Sequence, residues 1–449
     1  MPRWELSRQM AAKTLATAFV LVFSIAMATF PGERVHENAV ARTIGLSAFL
    51  FGYEMPIRDV TPDKRGFFPN RLWLPNENLV DDTKLKEFPA EHVRGCPTLK
   101  VYALSLVNRD LTGAVLIGAD LRHADFKGAR VANANFDEAW LQNARFEVNA
   151  GASAQFFKTQ MSKASFFKAE LPGAFFQAAY LQEACLLAAN LRGASLEGAS
   201  LQGASLEMAR LEGASLLGAY LQAASLDGAW LQGASLSMVQ MQGSSIVGTQ
   251  LQGVTIDRAN LAGASLDSAQ VWRTRFNPIS MDAAKLVKLR YDPVFDAAAD
   301  TTPPFDIWRK NILDTIPQGD RRTAAANGLA LLDPHAKDPD AMLTRDGFWN
   351  QAVATQLSDA AYRTALAGII EKLACAAEAS PHVARGLITT RYLAEPRLGD
   401  VGAEQMPRIA ERLMKGARAK PGEVTDCPGA RGLTEDDLKA LGELAKSAK

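Results

Sequence analysis

From Leu111 to Phe276 the chain places a bulky apolar residue at every fifth position, 34 sites in a row with one lapse, Gly151. Leu, Phe, Val, Ile and Met fill the other 33. Two residues before each site stands a small one: 26 of the 33 positions from Ala114 to Thr274 are Ala. A helix needs apolar recurrence near 3.6 and a half-buried strand near 2, so a strict period of five excludes both. Regular glycines such as Gly193, Gly198, Gly203, Gly213 and Gly218 would also cost a long helix roughly 1 kcal/mol each. A short repeat held this far predicts a solenoid, whose units stack because none can bury its apolar face alone.

If five residues form one side of a square, four sides form a coil of twenty. The large residue and the Ala then both point to the axis, and the other three residues of each unit point outward. That leaves Gln202-Gly203, Glu212-Gly213 and Asp227-Gly228 free to vary. About eight coils would make a rod of ~40 Å at roughly 4.8 Å per strand. Gly151, with Asn149 two residues before it, predicts a local weak point.

Units such as Ala199-Ser200-Leu201-Gln202-Gly203 and Ala119-Asp120-Leu121-Arg122-His123 resemble the A-(D/N)-L-x-x unit of the pentapeptide repeat family, over roughly residues 111–286. The resemblance implies a right-handed quadrilateral parallel β-helix. It implies no catalytic residue and no cofactor, because the family's motif is structural.

Residues twenty apart should stack in lines along the outside. Gln182, Gln202, Gln222 and Gln242 make one line, and amides so placed are expected to hydrogen-bond along the stack. Ser165, Cys185, Ser205, Ser225, Ser245 and Ser265 make another, with Cys185 read as a small filler of a Ser rung. Trp140, Tyr180 and Tyr220 share a third, two coils apart. Such lines can simply satisfy polar groups in a tightly wound coil. They can also form a flat face on which the aromatics anchor a partner.

The N-terminus bears on compartment. Arg3, Arg8 and Lys13 precede seventeen uncharged residues, Thr14–Phe30. This reads as a membrane anchor over residues 1–30 with the bulk of the chain exported, in a periplasm, by the positive-inside rule. A signal peptide cleaved near Ala26-Met27-Ala28, leaving a soluble periplasmic protein, is the rival. Residues 31–105 are a Pro-rich, loop-rich connector whose last part, with Tyr102 and Leu104, is expected to cap the rod over 106–290.

After residue 286 the period of five gives way to helical patterns, and residues 300–449 are expected to form an α-helical domain. Helix starts are signalled at Asp306-Ile307-Trp308, at Asp320 as a cap, at Ser380-Pro381, and by the Thr434/Asp437 capping box. This domain would dock on the last coil and cap it, or engage a partner. Of the four cysteines (Cys96, Cys185, Cys375, Cys427), Cys375 and Cys427 are candidates for a disulfide, consistent with export.

Charge and chemistry narrow the function. The chain has 49 basic and 49 acidic residues and no formal net charge, so no charge-driven affinity for nucleic acid or anionic lipid is expected. Five His (His36, His92, His123, His335, His382) show no metal-ligand spacing, and no phosphate-binding or dinucleotide motif occurs. Asp333-Pro334-His335 with Asp338 and Asp340 reads as turns between helices rather than a cation loop.

The leading expectation is a non-catalytic envelope scaffold that meets another envelope protein. Some pentapeptide repeat proteins resemble duplex DNA and bind DNA gyrase. For that alternative the outward acids would include Glu197, Glu207 and Glu212. The resemblance weakens here, because the chain carries an export signal and only a mildly acidic rod. An enzyme lodged in the helical domain is the third reading.

Overall fold

The computed structural model describes residues 90–93, 96–99, 103–290, 305–333, 359–376, 381–388, 401, 404–420 and 423–447. The expected anchor at Thr14–Phe30, Tyr102, and the acidic turns beyond Asp333 lie outside the described residues. No described helix is long and apolar enough to cross a membrane.

Residues 104–290 wind into coils of twenty. Each outward residue at the middle of a side bridges in parallel to the residue twenty further on, as in the line Ser165, Cys185, Ser205, Ser225, Ser245 and Ser265. Most pairings are single bridges. Only at the ends do they lengthen into strands: β3 (Leu104–Ser105) beside β4 (Ala124–Asp125), and β5 (Thr255–Asp257) beside β6 (Arg275–Asn277).

A tight turn separates successive sides. Ala204 N–H donates to Leu201 O at 3.0 Å, while Leu201 N–H donates to Tyr220 O of the next coil at 2.7 Å. Ser200 N–H reaches back to Ala179 O at 2.9 Å. Backbone polar groups are thereby satisfied by the coils before and after, as burial demands. The third residue of each turn is left-handed, as at Gly203 with φ 67°, the position where a turn of this kind favours Gly.

The axis is filled as the repeat predicts, by the fifth-position residues and the Ala column, nearly all of them inaccessible to solvent. Six phenylalanines line its first part. Phe126 stacks on Phe146 at 4.4 Å and Phe136 on Phe156 at 5.2 Å, while Phe126 meets Phe136 edge-on at 5.7 Å. The two stacks occupy opposite sides of the square and interlock across the axis, a geometry aromatic quadrupoles favour.

The lapse has a physical reading. A Cβ at Gly151 would lie 2.5 Å from a Leu171 methyl and 2.8 Å from a Val131 methyl, so the coils above and below occupy the missing side chain's place. Asn149, at an Ala position and 1% exposed, is buried with neither side-chain polar atom partnered.

Ahead of the coils, β1 (Ala90–Val93) pairs antiparallel with β2 (Cys96–Leu99), so the end of the connector is a strand pair rather than loop. Leu104 packs against the first coil's core.

Beyond the rod lie α1 (Phe305–Leu313), α2 (Asp320–Ala330), α3 (Asp359–Cys375), α4 (Pro381–Ile388), α5 (Met406–Arg418), a 3₁₀ turn (Pro428–Ala430) and α6 (Glu435–Ser447). Asp320 is the first residue of α2, not its cap; Gly319 takes that place with no side-chain bond. At α6 the capping box forms. Thr434 N–H donates to the Asp437 carboxylate at 2.7 Å and Asp437 N–H to Thr434 Oγ1 at 3.3 Å. Cys375 and Cys427 are bonded, tying the end of α3 to the 3₁₀ turn. Cys185 is also disulfide-bonded, which corrects its reading as a mere filler of a Ser rung.

The expectation that the helices dock on the last coil is replaced by a different arrangement. They lie along the rod's flanks, on two lines of corner residues. A Cβ added at Gly173 would lie 3.0 Å from Pro317, at Gly193 2.7 Å from Ile316, at Gly213 2.5 Å from Ala325 and at Gly253 2.9 Å from Leu332. That corner belongs to the α1–α2 hairpin. At the other, a Cβ at Gly203 would lie 2.6 Å from His382 O, at Gly243 3.2 Å from Leu387 and at Gly263 3.2 Å from Leu366. That corner belongs to α3 and α4. Gly193 and Gly203 are half a coil apart, so the two helical units grip opposite corners. Gly203, expected to face outward freely, is under α4.

The closest approach is backbone to backbone: a Cβ on Gly328 of α2 would lie 2.0 Å from Gly233 O. Two predictions follow from this packing. Asn149→Ala removes an unpartnered buried amide and restores the column, so chemical denaturation should show a gain of roughly 1–3 kcal/mol; a loss would count against the axis assignment. Gly328→Leu should overpack the corner by roughly 1–3 kcal/mol and open residues 305–333 to limited proteolysis. Gly368→Leu on α3, where an added Cβ meets nothing within 4 Å, should not; equal effects would contradict the docking.

Candidate interaction face

With two corners covered, the rod's surface divides. The Cys185–Ser265 line is largely buried, whereas the line through Trp140, Gln160, Tyr180, Ser200, Tyr220, Gln240 and Asn260 is not. On that line Trp140 is 51% exposed, Tyr180 41% and Tyr220 44%. The corner on one flank is bare too: an added Cβ at Gly198 or Gly218 meets nothing within 4 Å, and Leu217 and Met238 are exposed there. The three aromatics thus share one accessible face. Each is spaced from the next by two coils, with Gln160 and Ser200 bridging between.

At its first coil the face is braced. The Arg122 guanidinium lies 5.9 Å from the centre of the Trp140 ring and donates through Nη2 to Asp120 at 2.6 Å. A cation so placed is attracted to the ring and restrains it.

The glutamine line behaves otherwise than expected. Gln182, Gln202, Gln222 and Gln242 are half-buried, and no amide ladder joins them. The carbonyl oxygens of Gln202, Gln222 and Gln242 are buried without a partner, and the Gln242 amide donates sideways to Gln240 at 2.9 Å. Their own corner, at Gly203 and Gly243, is where α3 and α4 sit, so this line borders an internal contact. The aromatics and the glutamines are therefore neighbours with different surroundings.

A joint that spacing alone did not reveal ties rod to helices. On the Gly203 corner, one coil earlier, stands Glu183. Arg385 Nη1 donates to its Oε2 at 2.6 Å and His382 Nδ1 pairs with its Oε1. Arg385 continues to Asp437 through Nε at 3.0 Å and to Gly432 O through Nη2 at 3.0 Å. The capping-box carboxylate of α6 thereby anchors the guanidinium that holds the rod. Burial opposes ionisation of Glu183, but the hydrogen bonds from His382 and Arg385 and the nearby positive charge bring it down to about 2. The available signal was a carboxylate standing just before the point where this corner becomes Gly or Ala in every coil, from Gly203 to Ala283.

The opposite corner holds Glu212, fully buried. Arg192 Nε donates to Glu212 Oε1 at 3.2 Å and Arg210 Nη2 to the same oxygen at 3.1 Å. Burial outweighs the Arg210 guanidinium and pushes this carboxyl up to about 7.

The acids expected to face outward in the DNA-like alternative are thus not a free surface. Glu212 and Glu207 are 0% and 2% exposed, and Glu197 receives Arg321 of α2 at 3.3 Å. Reversing the charge of Glu197, Glu207 or Glu212 would strike packing and the hairpin contact first. Elsewhere, a shallow cleft of about 170 Å³ lies between Phe175 and the Pro317–Arg321 turn. No cluster of metal-ligating side chains occurs among the described residues.

Comparison with known proteins agrees on the rod. The family described as pentapeptide repeats matches in 8 copies over residues 110–147, 159–198 and 199–237. HetL, a pentapeptide repeat protein involved in heterocyst differentiation regulation in the cyanobacterium Nostoc sp., is 28% identical. The match covers 41% of this chain and 90% of HetL, with a TM-score of 0.20. Full-length QnrB1, a plasmid-mediated fluoroquinolone resistance protein, is 19% identical over 43% of this chain and 93% of its own, with a TM-score of 0.25. A pentapeptide repeat protein from the Arabidopsis thaliana thylakoid lumen is 18% identical over 35% and 86%, with a TM-score of 0.10. No curated protein matches the chain. At such TM-scores these neighbours carry no argument about what this chain binds.

The buried carboxyl makes stability depend on pH. With its folded value raised to about 7 from 4.5, the folded state holds a proton that the unfolded chain releases. Stability should therefore fall as pH rises from the unfolded value towards 7. Glu212→Gln should flatten that slope and be relatively more stable near pH 8, by up to roughly 2–3 kcal/mol. Parallel denaturation series at pH 5 and pH 8 would show it, and an unchanged slope would exclude Glu212 as the source.

Proposed function

We propose that this chain is a non-catalytic scaffold of the cell envelope that presents the Trp140–Tyr220 face of its rod to a partner. One observation carries this reading: three large aromatics are exposed along one straight line, on a side that neither helical unit covers. Exposed aromatics at the centre of a rigid patch are the usual anchors of a binding surface, and a filled rod offers faces rather than pockets. The strongly perturbed carboxyls, Glu183 and Glu212, are engaged in packing and in joining the helices instead of converging on a cleft.

The envelope assignment rests on the basic, apolar N-terminal sequence, with anchor and cleaved signal both compatible. The disulfides at Cys185 and at Cys375–Cys427 fit an oxidising compartment. The DNA-mimic alternative needs a continuous acidic exterior, and of the acids it would use Glu207 and Glu212 are buried and Glu197 is paired with Arg321. Catalysis in the helical domain has no feature in its favour among the described residues.

Protease treatment of intact spheroplasts is expected to remove a tag fused to the C-terminus of the full chain, as efficiently as in lysed cells. A tag protected until lysis would sink the envelope assignment and leave the face without an envelope partner.

A further inference from the structure

The aromatic line has a period, and a period selects among polymers. Trp140, Tyr180 and Tyr220 stand two coils apart, which is about 9.6 Å at roughly 4.8 Å per coil. An extended peptide presents side chains to one face about every 6.8 Å, so it falls out of step after one ring. A helix returns a side chain every seven residues, about 10.5 Å, but needs a broad apolar stripe. Here the positions between the rings are Gln160 and Ser200, followed by Gln240 and Asn260. The exposed Leu217 and Met238 lie on the neighbouring corner, not between the rings.

A β-1,4-linked glycan fits all of this. Successive sugars flip, so like faces recur once per disaccharide, a repeat close to two coils. The axial C–H groups of every second sugar would stack on a ring, while its hydroxyl and acetamido groups meet the amides and hydroxyl between. Charge agrees: apart from the tyrosine phenols, no ionisable side chain stands on the line from Trp140 to Asn260, which suits an uncharged polymer. The coils hold the rings at fixed spacing before any ligand arrives, so little ordering is needed on binding.

We propose that the Trp140–Tyr180–Tyr220 line binds the extended β-1,4-linked N-acetylhexosamine backbone of a cell wall, one ring to each disaccharide. This rests on the reading of the face as the partner-binding one, and names its partner. Trp140, held by Arg122, is the fixed end of the platform, and the Gln160 amide and Ser200 hydroxyl between the rings set the register of the acetamido groups.

The test uses the full chain and a β-1,4-linked N-acetylglucosamine hexamer, its dimer, and cellohexaose. The hexamer is expected to bind, the dimer at least about tenfold more weakly because it cannot reach two rings, and cellohexaose no more tightly than the hexamer. Trp140→Ala, Tyr180→Ala and Tyr220→Ala should each weaken hexamer binding by about tenfold with unchanged melting curves, since none faces the axis. The double exchange Tyr180→Ser with Ser200→Tyr keeps the aromatic count and breaks the period, and it should lose binding as a ring deletion does.

Hexamer binding that is absent, indifferent to these variants, or weaker than cellohexaose binding would overturn the proposal. A photo-crosslinker at position 220 separates the two levels. If sugars do not bind but a protein is captured, the glycan is wrong and the interaction face survives. If neither occurs, both fail.

Discussion

Everything in this molecule depends on closing a coil of twenty around an axis that side chains fill completely. The large residue of each unit and the Ala two before it point inward together. One must be small because the other is large, and close packing leaves no slack. The turn between sides then demands a left-handed residue, so that each outward position is locked at a fixed angle and height. Apart from the turn bonds within each coil, backbone bonds run to neighbouring coils, and no coil is stable alone.

That rigidity is what lets the helices dock by their backbones. Corners carrying Gly213, Gly233, Gly203 and Gly243 have no side chain to keep a helix away, so Ala325, Gly328 and Gly386 come against the coil itself. The glycines serve twice: they accept the left-handed turn, and they clear the approach. Where the corner carries charge instead, at Glu183, the contact is made by an ion pair whose guanidinium is fixed from behind by Asp437. Gripping opposite corners covers two parts of the rod and leaves the aromatic line open between them, so the placement of the helices defines the accessible face.

Polar groups inside this packing are costly and few. Asn149 interrupts an Ala column without finding a partner, while Thr159, at a similar inward position, donates to Phe136 O at 2.8 Å. The difference is reach: a hydroxyl on a short branched side chain meets the carbonyl beneath it, and the amide does not. Glu212 is kept from an unpartnered charge by two guanidinium groups and by a proton that burial makes easy to hold.

The sequence by itself determined the rod. A period of five with alternating large and small residues has one way to bury its apolar atoms, so the coil, its axis and the alignment of residues twenty apart were all legible, including the shared line of Trp140, Tyr180 and Tyr220. The existence and approximate starts of the helices at Phe305, Pro381 and Glu435 were legible too, because caps and prolines are local signals.

What only the tertiary structure decided is where those helices go. Docking depends on which corner is free of side chains and on complementary charges some two hundred residues apart, as between Glu183 and Arg385, and no local pattern encodes a partner at that distance. For the same reason the glutamine line, which stacks along the rod as the aromatic one does, could not be told from it as a surface until the helices were in place. Its oxygens are buried beside α3 and α4, while the aromatic rings a few residues away remain in solvent.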